Sequence, residues 1–264
     1  MNKISLILYF LVISSILNAQ SRINYILEIA YPDKIEKKFS MNLDIENNTC
    51  FFYDEEILKG VRTVSKSNQM SFHALNSDSN EIIVFTPENK IFKIENTDKI
   101  EWKLENEFKQ EKNYKLQKAT ANYGERTWTA WFCSDINIFE GPYVFRGLPG
   151  LIFELYDSEN IFNYKLTEIE KLSNASKRLK FDQKIAPITW EKYNKNLADF
   201  YNNPFNKERM SISGGNEINI DNKDIQIQDL NKMTVEFQNR IKLTFPPAVL
   251  LDKFSFYKTK ILDL

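Results

Sequence analysis

The chain holds few side chains suited to catalysis. Its only histidine is His73, and its only cysteines are Cys50 and Cys133. A Ser-His-Asp set would have to use His73, and no serine sits in a Gly-x-Ser-x-Gly elbow. A thiol–imidazole pair of Cys50 or Cys133 with His73 rests on that small inventory alone. Zinc normally takes three or four ligands, mostly nitrogen and sulfur. His73 lies in a polar stretch with no partner at ligand spacing, so it reads as a surface residue and no metal is expected. Asp221-Asn222-Lys223-Asp224 lacks the glycine and distal glutamate of a calcium loop. Glu140, Glu154 and Asp157 are acids that a glycosidase could use, but such chemistry needs two carboxylates at a set separation. Structural or solvent roles fit them better, and no catalytic set stands out.

Gly141, Gly147 and Gly150 invite a phosphate-loop reading. Their spacing matches neither the dinucleotide fingerprint nor the P-loop, and no Lys-Ser/Thr follows. With Pro142 and Pro149 they read instead as tight turns that stiffen the approach to a strand. The other reading is a recognition loop. No cofactor is expected. Cys50 and Cys133 could form one disulfide in an oxidising compartment, closing a loop of roughly 80 residues and stabilising by about 4–5 kcal/mol on the entropy model. The alternative is two buried thiols.

Around these residues the chain reads as strands, then helices. Met1-Asn2-Lys3, an apolar run over Ile4–Leu17 and a small residue at Ala19 form the anatomy of a secretory signal peptide over residues 1–19. The apolar run is short of the ~20 residues that span a bilayer, so no transmembrane anchor is expected after cleavage. Cleavage removes Lys3 and takes the formal charge from −1 to −2. That balance gives no electrostatic reason to expect nucleic acid. Residues 20–264 read as a single β-rich domain. Ile23, Tyr25, Leu27 and Ile29 alternate at period two, as do Met41, Leu43 and Ile45. Strands are expected at 49–53, 81–86, 90–95, 100–104, 114–119, 125–133, 151–156 and 161–169. In the strand from Glu125 to Cys133, Arg126, Trp128, Ala130 and Phe132 share a face.

A helical segment is expected at about 187–242. Thr189 is placed to cap a helix from Trp190 that buries Tyr193, Leu197 and Tyr201 and stops before Pro204. Asn203–Gly215 reads as a loop. A second helix follows Asp229 with Leu230, Met233, Phe237 and Ile241 on one face, and the chain ends in an apolar, strand-like run. The expected class is α+β, mainly antiparallel β: a curved sheet or half-barrel with two helices in the C-terminal third.

One segment carries a resemblance. Gly147-Leu148-Pro149-Gly150-Leu151-Ile152 follows Trp102-Lys103-Leu104, Lys118-Ala119-Thr120 and Gly124–Phe132 in the order and spacing of the GLPGLI family. These are secreted proteins of Bacteroidota, also known by a Porphyromonas-derived label. Family members often carry a cysteine near the position of Leu116, which this chain lacks, so the resemblance supplies no disulfide. It also transfers no activity, but it implies export to the periplasm, the outer-membrane surface or beyond. Genes of the family resemble neighbours of TonB-dependent receptors, which suggests such a receptor or another envelope protein as partner. Half-open β structures that carry lipids across the periplasm offer a fold-level analogy.

The reading is an exported cell-envelope binding or accessory protein without catalytic activity. It would help TonB-dependent uptake or carry an apolar or peptide ligand. The alternatives are a hydrolase using acids in a β-lined cleft, or a structural docking module for an envelope partner. Candidate ligand-binding residues are Arg126, Trp128, Trp131, Phe145, Arg146, Leu148 and Pro149. A carrier needs a deep apolar cavity, and a hydrolase needs converging acids. A docking module needs an apolar patch beside Gly147–Gly150.

Overall fold

The computed structural model describes residues 20–32, 34–59, 66–87, 90–179, 184–220 and 223–263; the expected signal peptide lies outside them. Eleven antiparallel strands form one sheet. They are β1 (Ser21–Ala30), β2 (Glu36–Glu46), β3 (Thr49–Asp54), β4 (Ser71–Ala74), β5 (Asn80–Phe85), β6 (Ile91–Asn96), β7 (Lys103–Glu111), β8 (Tyr114–Tyr123), β9 (Arg126–Cys133), β10 (Leu151–Asp157) and β11 (Phe162–Lys171). The spatial order is β6-β5-β4-β3-β2-β1-β11-β10-β9-β8-β7, two meanders joined where β1 pairs with β11. One helical turn, α1 (Glu55–Leu58), follows β3.

Chain connectivity forces this sheet to curl. Its edges are β6 and β7, yet only residues 97–102 join them. Such a connection spans at most about 25 Å. Ten flat strand spacings would separate the edges by about 48 Å. The sheet is therefore strongly curved, and it is not closed into a barrel. Register shifts in β1 at Asn24/Tyr25, in β10 at Ile152/Glu154 and in β7 at Leu104/Phe108 mark the irregularities that increase local twist.

Cross-strand rows build the core on the inner face. Ala119, Ala130, Leu155, Tyr164, Leu27 and Phe39 stand opposite one another in turn across six strands, all buried. A second row runs Ile23, Leu43, Phe52, Ser71, Ile82 and Ile94. Directly opposed residues share a face, so one alternating pattern in each strand yields a continuous apolar lining.

The segment 134–150 crosses that lining as a plug. Phe145 lies among Trp128, Tyr123 and Tyr164, with ring centroids 4.4, 5.9 and 6.3 Å away. Ser71 Oγ donates to the Tyr143 carbonyl at 2.5 Å, and Arg146 donates to the carbonyls of Ser77 and Ser79. The plug thus ties the β8–β11 half of the sheet to the β3–β5 half.

Three expectations need correction. His73 is buried at 6% exposure, because β4 points it inward, where its Nε2 meets Glu140 Oε2 at 3.0 Å. The expected loop 203–215 holds a helix, α3 (Asn206–Ser213), which follows α2 (Trp190–Asn202). Arg209 anchors it to Asn203 and, through Asn231 and Thr234, to α4 (Ile227–Thr244). That support comes from tertiary neighbours that local pattern does not register. The final apolar run is a π-helical turn (Tyr257–Ile261) rather than a strand, since Phe254, Phe256 and Tyr257 pack around Phe245. A two-stranded hairpin of β12 (Ile218–Ile220) and β13 (Lys223–Ile225) precedes α4.

Cys50 and Cys133 are free, buried thiols. They lie on β3 and β9, five places apart along the sheet, so no bridge joins them.

Candidate functional site

Two amphipathic helices and one side of the sheet build an apolar cavity. Helix α2 begins where expected, with Thr189 Oγ1 accepting from the Lys192 amide at 3.2 Å. It buries Tyr193, Leu197 and Tyr201. Helix α4 starts with a capping box in which the Asp229 carboxylate accepts from the Gln226 amide at 2.9 Å. The caps set where each helix starts, and the apolar spacing along them puts Leu197, Phe200 and Tyr201 of α2 and Phe237 and Ile241 of α4 around one cavity.

Between them, Phe39, Phe85 and Phe256 lies an apolar cavity of about 530 Å³, to which Phe245 and Pro246 also contribute. Sites for small organic ligands are typically ~300–1,000 Å³ and are mostly lined by apolar and aromatic groups. Its aromatic walls interlock: Phe200 meets Phe237 at 5.5 Å and Phe245 meets Phe256 at 5.4 Å, both edge-to-face. The Tyr193 hydroxyl donates to the Phe85 carbonyl at 3.1 Å, and burial raises its pKa, so it stays neutral and leaves the wall uncharged. Two cations break the apolar lining. Lys37 is half-buried with its Nζ 3.6 Å from the Tyr31 ring centre, and Lys66 is exposed. A larger cleft of about 810 Å³ shares Thr86, Pro87 and Phe200, but asparagines and charged side chains line most of it. The smaller cavity is the better candidate for a ligand, because it offers apolar area that binding would remove from water.

None of the sequence-nominated ligand residues lines this cavity. Trp128 is fully buried, and its Nε1 donates to the Tyr123 carbonyl. Phe145 and Leu148 are core residues of the plug. Trp131 is buried under Lys109 and Lys118, whose Nζ atoms lie 4.5 and 5.9 Å from its ring centre. Arg126 makes a buried pair with Asp157 at 3.1 Å and donates to the Ala248 carbonyl, tying the C-terminal segment to the sheet. Arg146 caps turn carbonyls, and Pro149 is exposed.

The nominated acids do not converge. Glu140 meets His73, Asp157 meets Arg126, and Glu154 meets Lys109 and Lys165. Burial alone would raise the Glu154 carboxyl, but the lysines carry it below its usual range. What the sequence reading missed was the pairing of two helix faces it had found. The surplus of phenylalanine at 200, 237, 245, 254 and 256 was the available signal.

Among the described residues, no helix is long and apolar enough to cross a membrane. Residues 74–154 match a family model, Porph_ging, described as a protein of unknown function. The match runs from the end of β4 into β10 and includes the whole plug. It agrees with the Porphyromonas-derived label and does not itself carry the GLPGLI name. No curated protein matches the chain. Two crystal forms of PNGF-II share the fold over 68% of this chain and 33% of theirs, with TM-scores of 0.53 and 0.54 and identities of 15% and 16%. The chain therefore spans about a third of the length of those structures. A LolA superfamily protein from Nitrosomonas europaea is matched over 60% of this chain and 88% of its own, at 10% identity and a TM-score of 0.28.

Proposed function

We propose that this is an exported, non-catalytic binding protein that carries an apolar ligand with an anionic end. The observation behind the proposal is the aromatic cavity of about 530 Å³ between α2, α4 and the sheet, with Lys37 and Lys66 beside it. Burying the ligand's apolar body supplies the affinity, at ~25 cal/mol per Å² removed from water. The two lysines set its orientation by pairing with the anionic end, which stays near solvent. The N-terminal leader pattern supports export. Outer-membrane receptors of the TonB-dependent kind find no support in these observations and form no part of the reading.

The test is native mass spectrometry with lipid extraction on protein purified from its own envelope fraction, followed by displacement of a fluorescent fatty acid. Ile241→Trp, which fills the cavity, should weaken probe binding at least tenfold without loss of fold. Lys37→Glu should weaken the carboxylate probe more than a neutral-headed analogue. A clean apo mass together with probe binding unchanged in Ile241→Trp would sink the proposal.

A further inference from the structure

The buried His73 has a second neighbour besides Glu140. On adjacent strands, Cys50 and His73 are direct cross-strand partners. Both point to the inner face, since Phe52 and Ser71, two residues along on the same strands, form the next inward row. The plug lowers Glu140 onto them. One ligating atom from each side chain lies within 4.8 Å of the other two, and all three residues are buried. The other ring nitrogen of His73, Nδ1, is buried with no hydrogen-bond partner.

We propose that Cys50 Sγ, a His73 ring nitrogen and the Glu140 carboxylate form a binding site for a divalent transition-metal ion of the zinc type. Bond lengths of ~2.0–2.3 Å to these donors, set tetrahedrally, imply donor–donor separations of about 3.3–3.7 Å. The three donors stand within 4.8 Å of one another, and His73 Nε2 and Glu140 Oε2 are 3.0 Å apart, so the cluster is close to that spacing. Charge also balances. A thiolate and a carboxylate with a neutral imidazole cancel a dication, so the loaded site is neutral in net charge, as a buried site requires. On binding, the S–H bond of Cys50 gives way to a sulfur–metal bond, and its proton passes to solvent.

The route in is visible. Glu140 also lines a surface cleft of about 310 Å³, which brings solvent to one edge of the site. The thiolate sets the class of ion, because sulfur selects borderline and soft metals over calcium or magnesium. Signature and site are thereby linked: the glycine-rich segment positions Glu140, and β3 and β4 supply the other two donors.

Cobalt(II) substitution tests the proposal on the purified protein. The metal-stripped chain should bind cobalt with a thiolate charge-transfer band and the visible bands of a tetrahedral ion. Cys50→Ser should abolish the charge-transfer band. Cys133→Ser, which removes an equally buried thiol on β9, should leave it intact. Zinc should raise the melting temperature of the wild type and of Cys133→Ser, and not that of Cys50→Ser. Glu140→Gln should weaken zinc binding at least tenfold while retaining the band; if Cys50→Ser fails to fold, this variant carries the test, and unchanged zinc affinity overturns the proposal. A wild-type protein that binds cobalt without the charge-transfer band, through surface carboxylates only, also overturns it.

Discussion

Replacing Gly150 and Gly147 by alanine, one at a time, separates two reasons for a glycine-rich signature. A Cβ on Gly150 would lie 2.1 Å from the Cys133 carbonyl oxygen and 2.6 Å from its carbon, both backbone atoms. Ordinary contact begins near 3.4 Å, so β9 and the plug would have to separate by more than an ångström. The paired strand residues Leu151 and Cys133 sit next to that contact, which leaves little room to yield. Overpacking of this kind costs about 1–3 kcal/mol. Gly150 also has φ +154°, a region held almost wholly by glycine, which adds roughly 1–3 kcal/mol of strain. The total is about 2–6 kcal/mol, against a whole-domain stability of ~5–15 kcal/mol. Gly147 has φ +90° but nothing within 4 Å of a new Cβ, so only strain of about 1–2 kcal/mol applies. Urea unfolding followed by tryptophan fluorescence reads both, since Trp128 contacts Phe145 of the plug. Gly150→Ala should shift the midpoint well beyond Gly147→Ala. Equal shifts, or a loss under 1 kcal/mol for Gly150→Ala, would refute the steric argument. A loss of ligand binding at unchanged stability would return the segment to the recognition reading.

Two further outcomes follow from buried polar groups. Asp157 accepts from the amides of Ile161 and Phe162 at 2.8 and 2.7 Å and pairs with Arg126, so Asp157→Ala leaves the buried guanidinium only the exposed Glu159 carboxylate and the Ala248 carbonyl. The expected cost is about 3–5 kcal/mol by denaturant titration, and a cost below 1 kcal/mol would show that Glu159 and water compensate. Burial pushes the Tyr123 and Tyr257 hydroxyls up to about 12 and raises those of Tyr25 and Tyr164. In the unfolded chain these groups ionise near pH 10, so their contribution is complete below that pH and is lost as pH rises toward 12. Tyrosinate absorbance should therefore rise cooperatively with alkaline unfolding; a gradual rise in the native protein, centred near pH 10, would contradict the burial.

Much of the sheet was legible because alternation is a local property. Ile23, Tyr25, Leu27 and Ile29 face the core as the pattern requires, and Asn47-Asn48 turns with both residues at positive φ. Helix α2 began at the residue its cap indicated. Where local signals were weak, the reading failed. Helix α3 buries no residue, and an arginine bonded to neighbouring elements holds it in place.

The sequence by itself determined the strand-rich body, the two long helices, the tight-turning signature and the scarcity of catalytic side chains. These depend on period, capping and composition, which short stretches of chain carry. Tertiary structure alone decided where those pieces meet. Pairing of β1 with β11 and the short link between β6 and β7 curl the sheet. That curvature brings a plug residue, Glu140, onto Cys50 and His73, which are far from it in sequence. Docking of α2 and α4 onto the same sheet sets their aromatic faces around a cavity. Each depends on contacts between distant segments, and no local pattern encodes which distant segment will arrive.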